Sequence, residues 1–134
     1  MTEPETTALV ESYVHVRPRG PAELLPKGGI GVVREGETTI VWDPEVAGVL
    51  VSEAHLTESS AHHGERHLDG DEVVYLISGV AGVAVEDGDG QIKEMTLQPG
   101  RAVVVPQGVW HRLLVDEPSR LLFLNSGRTE VRPP

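Results

Sequence analysis

A chain of 134 residues points to one domain, and 21 Asp and Glu against 11 Lys and Arg leave it with a formal charge of −10. That balance disfavours nucleic acid and anionic membranes as partners, because both reward clustered positive charge. The absence of cysteine excludes disulfides, iron–sulfur clusters and thiolate zinc sites, so any metal here is held by nitrogen and oxygen donors.

The first residues, MTEPETTALV, have neither a basic start nor a sustained apolar core, and no apolar run nears the roughly 20 residues of a membrane span. A cytoplasmic location is expected, with residues 1–8 as a polar tail and residues 9–134 as a single domain. From Leu9 to Arg17, LVESYVHVR alternates apolar and polar positions as a half-buried strand does. PRGPAELLPKGG follows. Its prolines and glycines predict a loop with at most one helical turn around Ala22 to Leu25.

IGVVREGETTIVWD reads as a hairpin about Glu35 and Gly36, and the β-branched residues of VAGVLVSEAHLT favour a strand. Beyond residue 70 the segments EVVYLISG, VAGVAVEDGDGQIKEMTL, GRAVVVPQG and VWHRLLVDEPSRLLFLNSG are short strands divided by Gly, Asp-Gly, Pro-Gly and Glu-Pro turns. No long segment carries a helical period. With 15 Gly and 10 Pro, the composition suits an all-β fold.

Between these strands lies HHGERHLDGDE, which holds His62, His63 and His67 among four acids. It is either a solvated acidic loop or half of a metal site. On an extended segment His63, Glu65 and His67 share one face. Glu72 heads an apolar run, where a carboxylate needs solvent, a partner or a metal. His111 lies far along the chain, between Trp110 and the apolar Leu113 to Val115, and is either a structural histidine bonded to backbone or a ligand. On the strand ahead of the cluster, Val49, Val51, Glu53 and His55 share a face. Glu53 and His55 are therefore candidate acid–base residues, or an outward solvated pair. Trp42 and Trp110 read as core or interface residues, and Arg112 and Arg120 as partners of acids or of an anionic substrate.

Both segments resemble the two motifs of the cupin superfamily. The second motif runs glycine, five residues, proline, one residue, glycine, two residues, histidine, and Gly100, Pro106, Gly108 and His111 reproduce it. The first runs histidine, one residue, histidine, three or four residues, glutamate, six residues, glycine. His67, Glu72 and Gly79 fit it, but Glu65 stands where the family has its first histidine. An alignment with His67 first and Asp69 second leaves too short a spacer to Glu72.

The resemblance implies a small antiparallel jelly-roll β-barrel with one divalent transition metal inside it, held by His67, Glu72 and His111. Glu65 is the expected fourth ligand or a base beside the metal, and His63 or His62, bending at Gly64, is the alternative. Two imidazoles and two carboxylates favour Fe(II) or Mn, with Zn or Ni also accepted. The function implied is a small-molecule metalloenzyme of the dioxygenase, isomerase or cyclase type, or alternatively a non-catalytic ligand-binding or metal-stabilised module. A small organic substrate is the expected partner. A homodimer is expected too, formed by strand addition around Leu9 to Arg17.

Overall fold

The computed structural model describes residues 3–27, 32–35, 37–40 and 48–132. Trp42 and Gly36 lie outside the described residues. The chain forms β1 (Ser12–Val16), β2 (Glu23–Pro26), β3 (Val32–Glu35), β4 (Glu37–Ile40), β5 (Val49–Leu56), β6 (Gly64–His67), β7 (Glu72–Ser78), β8 (Ala81–Glu86), β9 (Ile92–Leu97), β10 (Ala102–Val105), β11 (His111–Val115), β12 (Ser119–Asn125) and β13 (Thr129–Arg132). All the elements among the described residues are strands, and no helix there is long and apolar enough to cross a membrane.

Two antiparallel sheets make the jelly roll, in the orders β10-β7-β12-β5-β1-β2 and β3-β4-β13-β6-β11-β8-β9. From β4 to β8, and again from β9 to β13, successive strands alternate between the sheets, so segments distant in sequence become neighbours. The expected hairpin is present, with Glu35 opposite Glu37.

The core follows from strand alternation. In β7, Val74 and Leu76 are buried while Val73 and Tyr75 are only partly so, and in β11 Leu113 and Val115 are buried on the same rule. These four pack with Ala81, Val83, Leu97, Val105 and Leu121 in one cluster between the sheets. Glu72 and His111 head the two inward rows, so the alternation that fills the core also turns both side chains into the interior.

Two expectations are corrected. Residues 23–26 form a strand rather than a helical turn, with Tyr13 opposite Leu25 and Ser12 opposite Pro26. Among the described residues β2 lies at the edge of its sheet, where a proline is tolerated because no outer strand there needs its missing N–H. At the N-terminus, Leu9 to Glu11 form a turn, closed by Glu11 N–H on the Ala8 carbonyl at 2.9 Å, and the strand begins at Ser12. Moreover, β1 is paired on both sides, with β2 and with β5, so it offers no free edge to a second copy.

Candidate metal centre

Cross-strand register assembles the site. His111 of β11 sits directly opposite Glu65 of β6, and His67 of β6 sits opposite Thr129 of β13. Glu72 enters from the other sheet as the first residue of β7. The turn of the second motif then locks to the loop of the first. Gly108 N–H donates to the His67 carbonyl at 2.8 Å, Gln107 N–H to Asp71 Oδ1 at 2.8 Å, and the Gln107 side-chain amide to the Leu68 carbonyl at 2.7 Å.

The result is a group of Glu65, His67, Glu72 and His111 whose ligand atoms all lie within 4.8 Å of one another. His67, Glu72 and His111 are buried at 4%, 2% and 2% exposure, and Glu65 is half-buried. Glu72 bridges the imidazoles, with Oε1 3.0 Å from His111 Nε2 and Oε2 3.0 Å from His67 Nε2; Glu65 Oε1 is 3.5 Å from His111 Nε2.

Donor chemistry tests whether a cation belongs here. His111 Nδ1 lies 2.9 Å from the Val109 carbonyl, which only accepts, so Nδ1 carries a proton. A neutral ring then aims its Nε2 lone pair at two carboxylate oxygens, which is repulsive unless a proton or a metal ion lies between. His67 Nδ1 is 2.9 Å from Thr129 Oγ1, and its buried Nε2 makes no hydrogen bond despite its proximity to Glu72. An outward ring nitrogen fixed by a partner and an inward one left over is the arrangement of metal-binding histidine. The set fits a divalent ion.

Without metal, protons take that role. Burial alone would lower the pKa of His111, but the Glu65 and Glu72 carboxylates outweigh it and hold it up at about 10. Burial would likewise raise Glu72, but the hydrogen bond to His111 and the two adjoining imidazoles, His111 and His67, hold it down at about 2. Asn125 Nδ2 donates to Glu72 Oε2 at 3.1 Å and steadies the carboxylate from the cavity side.

Glu65, His67 and Glu72 open on a cavity of about 580 Å³, within the range for small-molecule sites. Leu50, Ala54, Leu56, Leu113 and Phe123 give it an apolar wall, and Tyr13, Lys27 and His62 add polar groups. Burial first, then the charge of Glu65, raises the pKa of Tyr13, so its phenol stays protonated. His62 accepts a hydrogen bond from Gly64 N–H on Nδ1 at 3.0 Å, so in its neutral form Nε2 carries the proton, 3.8 Å from Glu65 Oε2. Burial lowers the pKa of His62 and favours that neutral form.

Other expected site residues fall elsewhere. His63 is exposed and lines a separate cavity of about 340 Å³ with Trp110 and Arg132. It does not share the face of Glu65 and His67, because β6 starts at Gly64, whose φ of +138° breaks the extended run. Glu53 stands opposite the cavity wall formed by Leu50, Ala54 and Leu56, and pairs with Arg120 Nη2 at 2.7 Å and His55 Nε2 at 2.7 Å. His55 lines the cavity, as expected, but is 56% exposed at the side chain and paired with Glu53. The outward pair is thus what the strand presents. Asp69 is tied to Arg128 at 2.8 Å, and Arg112 donates to the Ser60 carbonyl at 2.7 Å. Trp110 packs on the other side of the second sheet, its ring 4.7 Å from the Arg66 guanidinium and 3.9 Å from that of Arg132.

Tyr13, Lys27, Asn125 and Thr129 were not singled out from the sequence. Asn125 carried a signal, as the polar end of the row Leu121, Phe123, Asn125 in an apolar strand. The others carried none, since only folding brings them to the cavity.

A model of the cupin domain family matches residues 52–125. No curated protein matches the chain. Among solved structures, a cupin-2 domain protein from Shewanella frigidimarina is 22% identical, with a TM-score of 0.49 over 69% of this chain and 83% of that one. A single-residue mutant of Bacillus subtilis oxalate decarboxylase is 18% identical, with a TM-score of 0.52 over 75% of this chain and 28% of that one. The coconut allergen cocosin is 19% identical, with a TM-score of 0.53 over 63% of this chain and 23% of that one. The decarboxylase and the allergen are far longer than this chain and share its fold, which therefore selects no activity. With the family match spanning more than half of the chain, and both motifs meeting at one site, the chain belongs to the cupin family.

Proposed function

We propose that this cupin is a mononuclear metalloenzyme acting on a small organic molecule, with Fe(II) or Mn preferred at Glu65, His67, Glu72 and His111 and Zn or Ni accepted. The observation that carries the reading is the convergence of two imidazoles and two carboxylates at the wall of a cavity of about 580 Å³. A divalent ion held there supplies Lewis acidity toward a carbonyl, enolate or dioxygen oxygen.

The chain's own residues supply the rest. The apolar wall excludes water from a bound substrate and strengthens each polar contact inside. His62 presents its Nε2 proton beside Glu65, so it is placed to donate to a substrate oxygen at that end, and Tyr13 keeps a phenolic proton elsewhere in the same cavity. Dioxygenase, isomerase and cyclase chemistry all fit this arrangement.

Protein purified without chelator is expected to carry about one transition metal per chain, and His67→Ala and His111→Ala to lose it, as read by elemental analysis. Wild type without metal, or both variants with unchanged metal, would sink the reading. Oxygen uptake by the iron-loaded protein with diketones, phenols and keto acids separates the dioxygenase class from redox-neutral chemistry.

A further inference from the structure

The cavity has a second polar end, across the first sheet from Glu72. Among the described residues lining it, Lys27 is the only lysine or arginine. Its ammonium donates to the Glu53 carbonyl at 2.7 Å and lies 5.5 Å from the centre of the Tyr13 ring. No carboxylate lies within ion-pair distance of it among the described residues, in a chain with 21 acids to 11 Lys and Arg. An ammonium has three donors, and one is used. The Tyr13 hydroxyl, on the same cavity, has no hydrogen-bond partner among the described residues.

The sheet order sets the separation. From β7, which carries Glu72, the cavity floor crosses β12 and β5 to reach β1, which carries Tyr13. Three strand spacings are about 14 Å. Phe123 and Ser52 pair across β12 and β5 between the two ends, with Leu50 and Ala54 on either side of Ser52, so the floor there carries no charged side chain among the described residues.

The geometry points to Lys27 and Tyr13 as an anion-binding end of the cavity, so that the substrate is a small organic acid whose carboxylate docks there while its apolar body crosses Phe123 toward the four-residue cluster. This rests on the metalloenzyme reading for what happens at the other end, but the recognition itself needs no metal. A partly buried ammonium and a phenol make charge-assisted hydrogen bonds that a neutral ligand cannot match. Burial already lowers the pKa of Lys27, with the charge of Glu53 opposing, and a bound carboxylate would offset that cost.

The test titrates 4-methyl-2-oxopentanoate and phenylglyoxylate, and the primary amide of each, into the full chain by calorimetry, both metal-free and zinc-loaded. Wild type is expected to bind each acid at least about tenfold more tightly than its amide in both forms. In Lys27→Met the acid should fall to the level of the amide, with amide binding unchanged, and Lys27→Arg should keep most of the preference. Tyr13→Phe should weaken acid binding by about threefold or more. Lys27→Gln repeats the measurement should the methionine variant melt early. Equal affinity for acid and amide in metal-free wild type, no binding of either acid, or a preference that survives both neutral Lys27 variants would overturn the assignment. The metal reading fails separately, by an empty site in purified wild type, and the metal-free titration stands apart from that result.

Discussion

At the scale of single residues, the centre is a set of charges that cannot remain buried without a counter-charge between them. In metal-free protein that counter-charge is a proton on His111, and the sign of the resulting pH dependence follows from the two shifts. The pKa of His111 is raised from 6.5 to about 10, so its contribution to stability is complete below 6.5 and is lost as pH climbs through about 10. The pKa of Glu72 is depressed from 4.5 to about 2, so its contribution is present above 4.5 and is lost as pH falls through about 2. Both are whole only between these ordinary values. Urea unfolding of metal-free wild type and His111→Gln should therefore show the widest gap in that window and a narrowing gap toward pH 10. A gap that widens with alkalinity would contradict this account. Glu65 is the other informative residue, because it puts an oxygen where the family motif has an imidazole. Glu65→His should raise affinity for Zn and Ni relative to Mn by about tenfold or more in competition titrations. Unchanged selectivity would mean that Glu65 does not reach the metal.

At the scale of elements, the strands that carry the ligands depend on a few backbone positions. Gly79 ends β7 at a φ of +101°, and a Cβ there would run into the Pro118 carbonyl and Ser119. Gly79→Ala should cost about 2 kcal/mol or more, with Glu72 on the same strand displaced and metal affinity reduced along with stability. Full stability in thermal melts would show that the turn can relax. These elements were legible in the sequence because their signals are local. The Gly100, Pro106, Gly108, His111 spacing encodes a turn and the strand after it, and Glu72 and His111 each head a visible period-two apolar row. β2 was misread because Pro21 and Pro26 signal loop wherever they occur, and only its place at a sheet edge makes Pro26 acceptable in a strand. The register of His63 failed for a related reason, since extended alternation was carried through Gly64, where the backbone departs from it. Lys27 and Tyr13 were illegible as cavity residues because their neighbours there come from β5, β6 and β12, all more than twenty positions away.

At the scale of the whole molecule, the four candidate ligands divide between the two sheets. Glu65, His67 and His111 belong to one and Glu72 to the other, so an ion bound by all four clips the sheets together at the end of the sandwich beyond the core cluster. An ion that binds only the folded state stabilises it by about 4 kcal/mol at a thousand times its dissociation constant. That gain should not spread evenly. β6, β7 and β11 carry the ligands, whereas β9 is the outer strand of its sheet, joined to the site only through β8. On loading with zinc, hydrogen exchange should slow most at the amides of Arg66, Val73, Val74 and Arg112 and change little at those of Lys93 to Thr96. Glu72→Gln, which weakens the only link from the opposite sheet, should remove the slowing in β7 more than that in β6 and β11, because those two strands still share Glu65, His67 and His111. Uniform slowing would place zinc's effect on global unfolding alone, and slowing confined to β6 and β11 in wild type would mean that Glu72 does not hold the ion. The first outcome would remove the clip, and the second would remove one ligand from the centre.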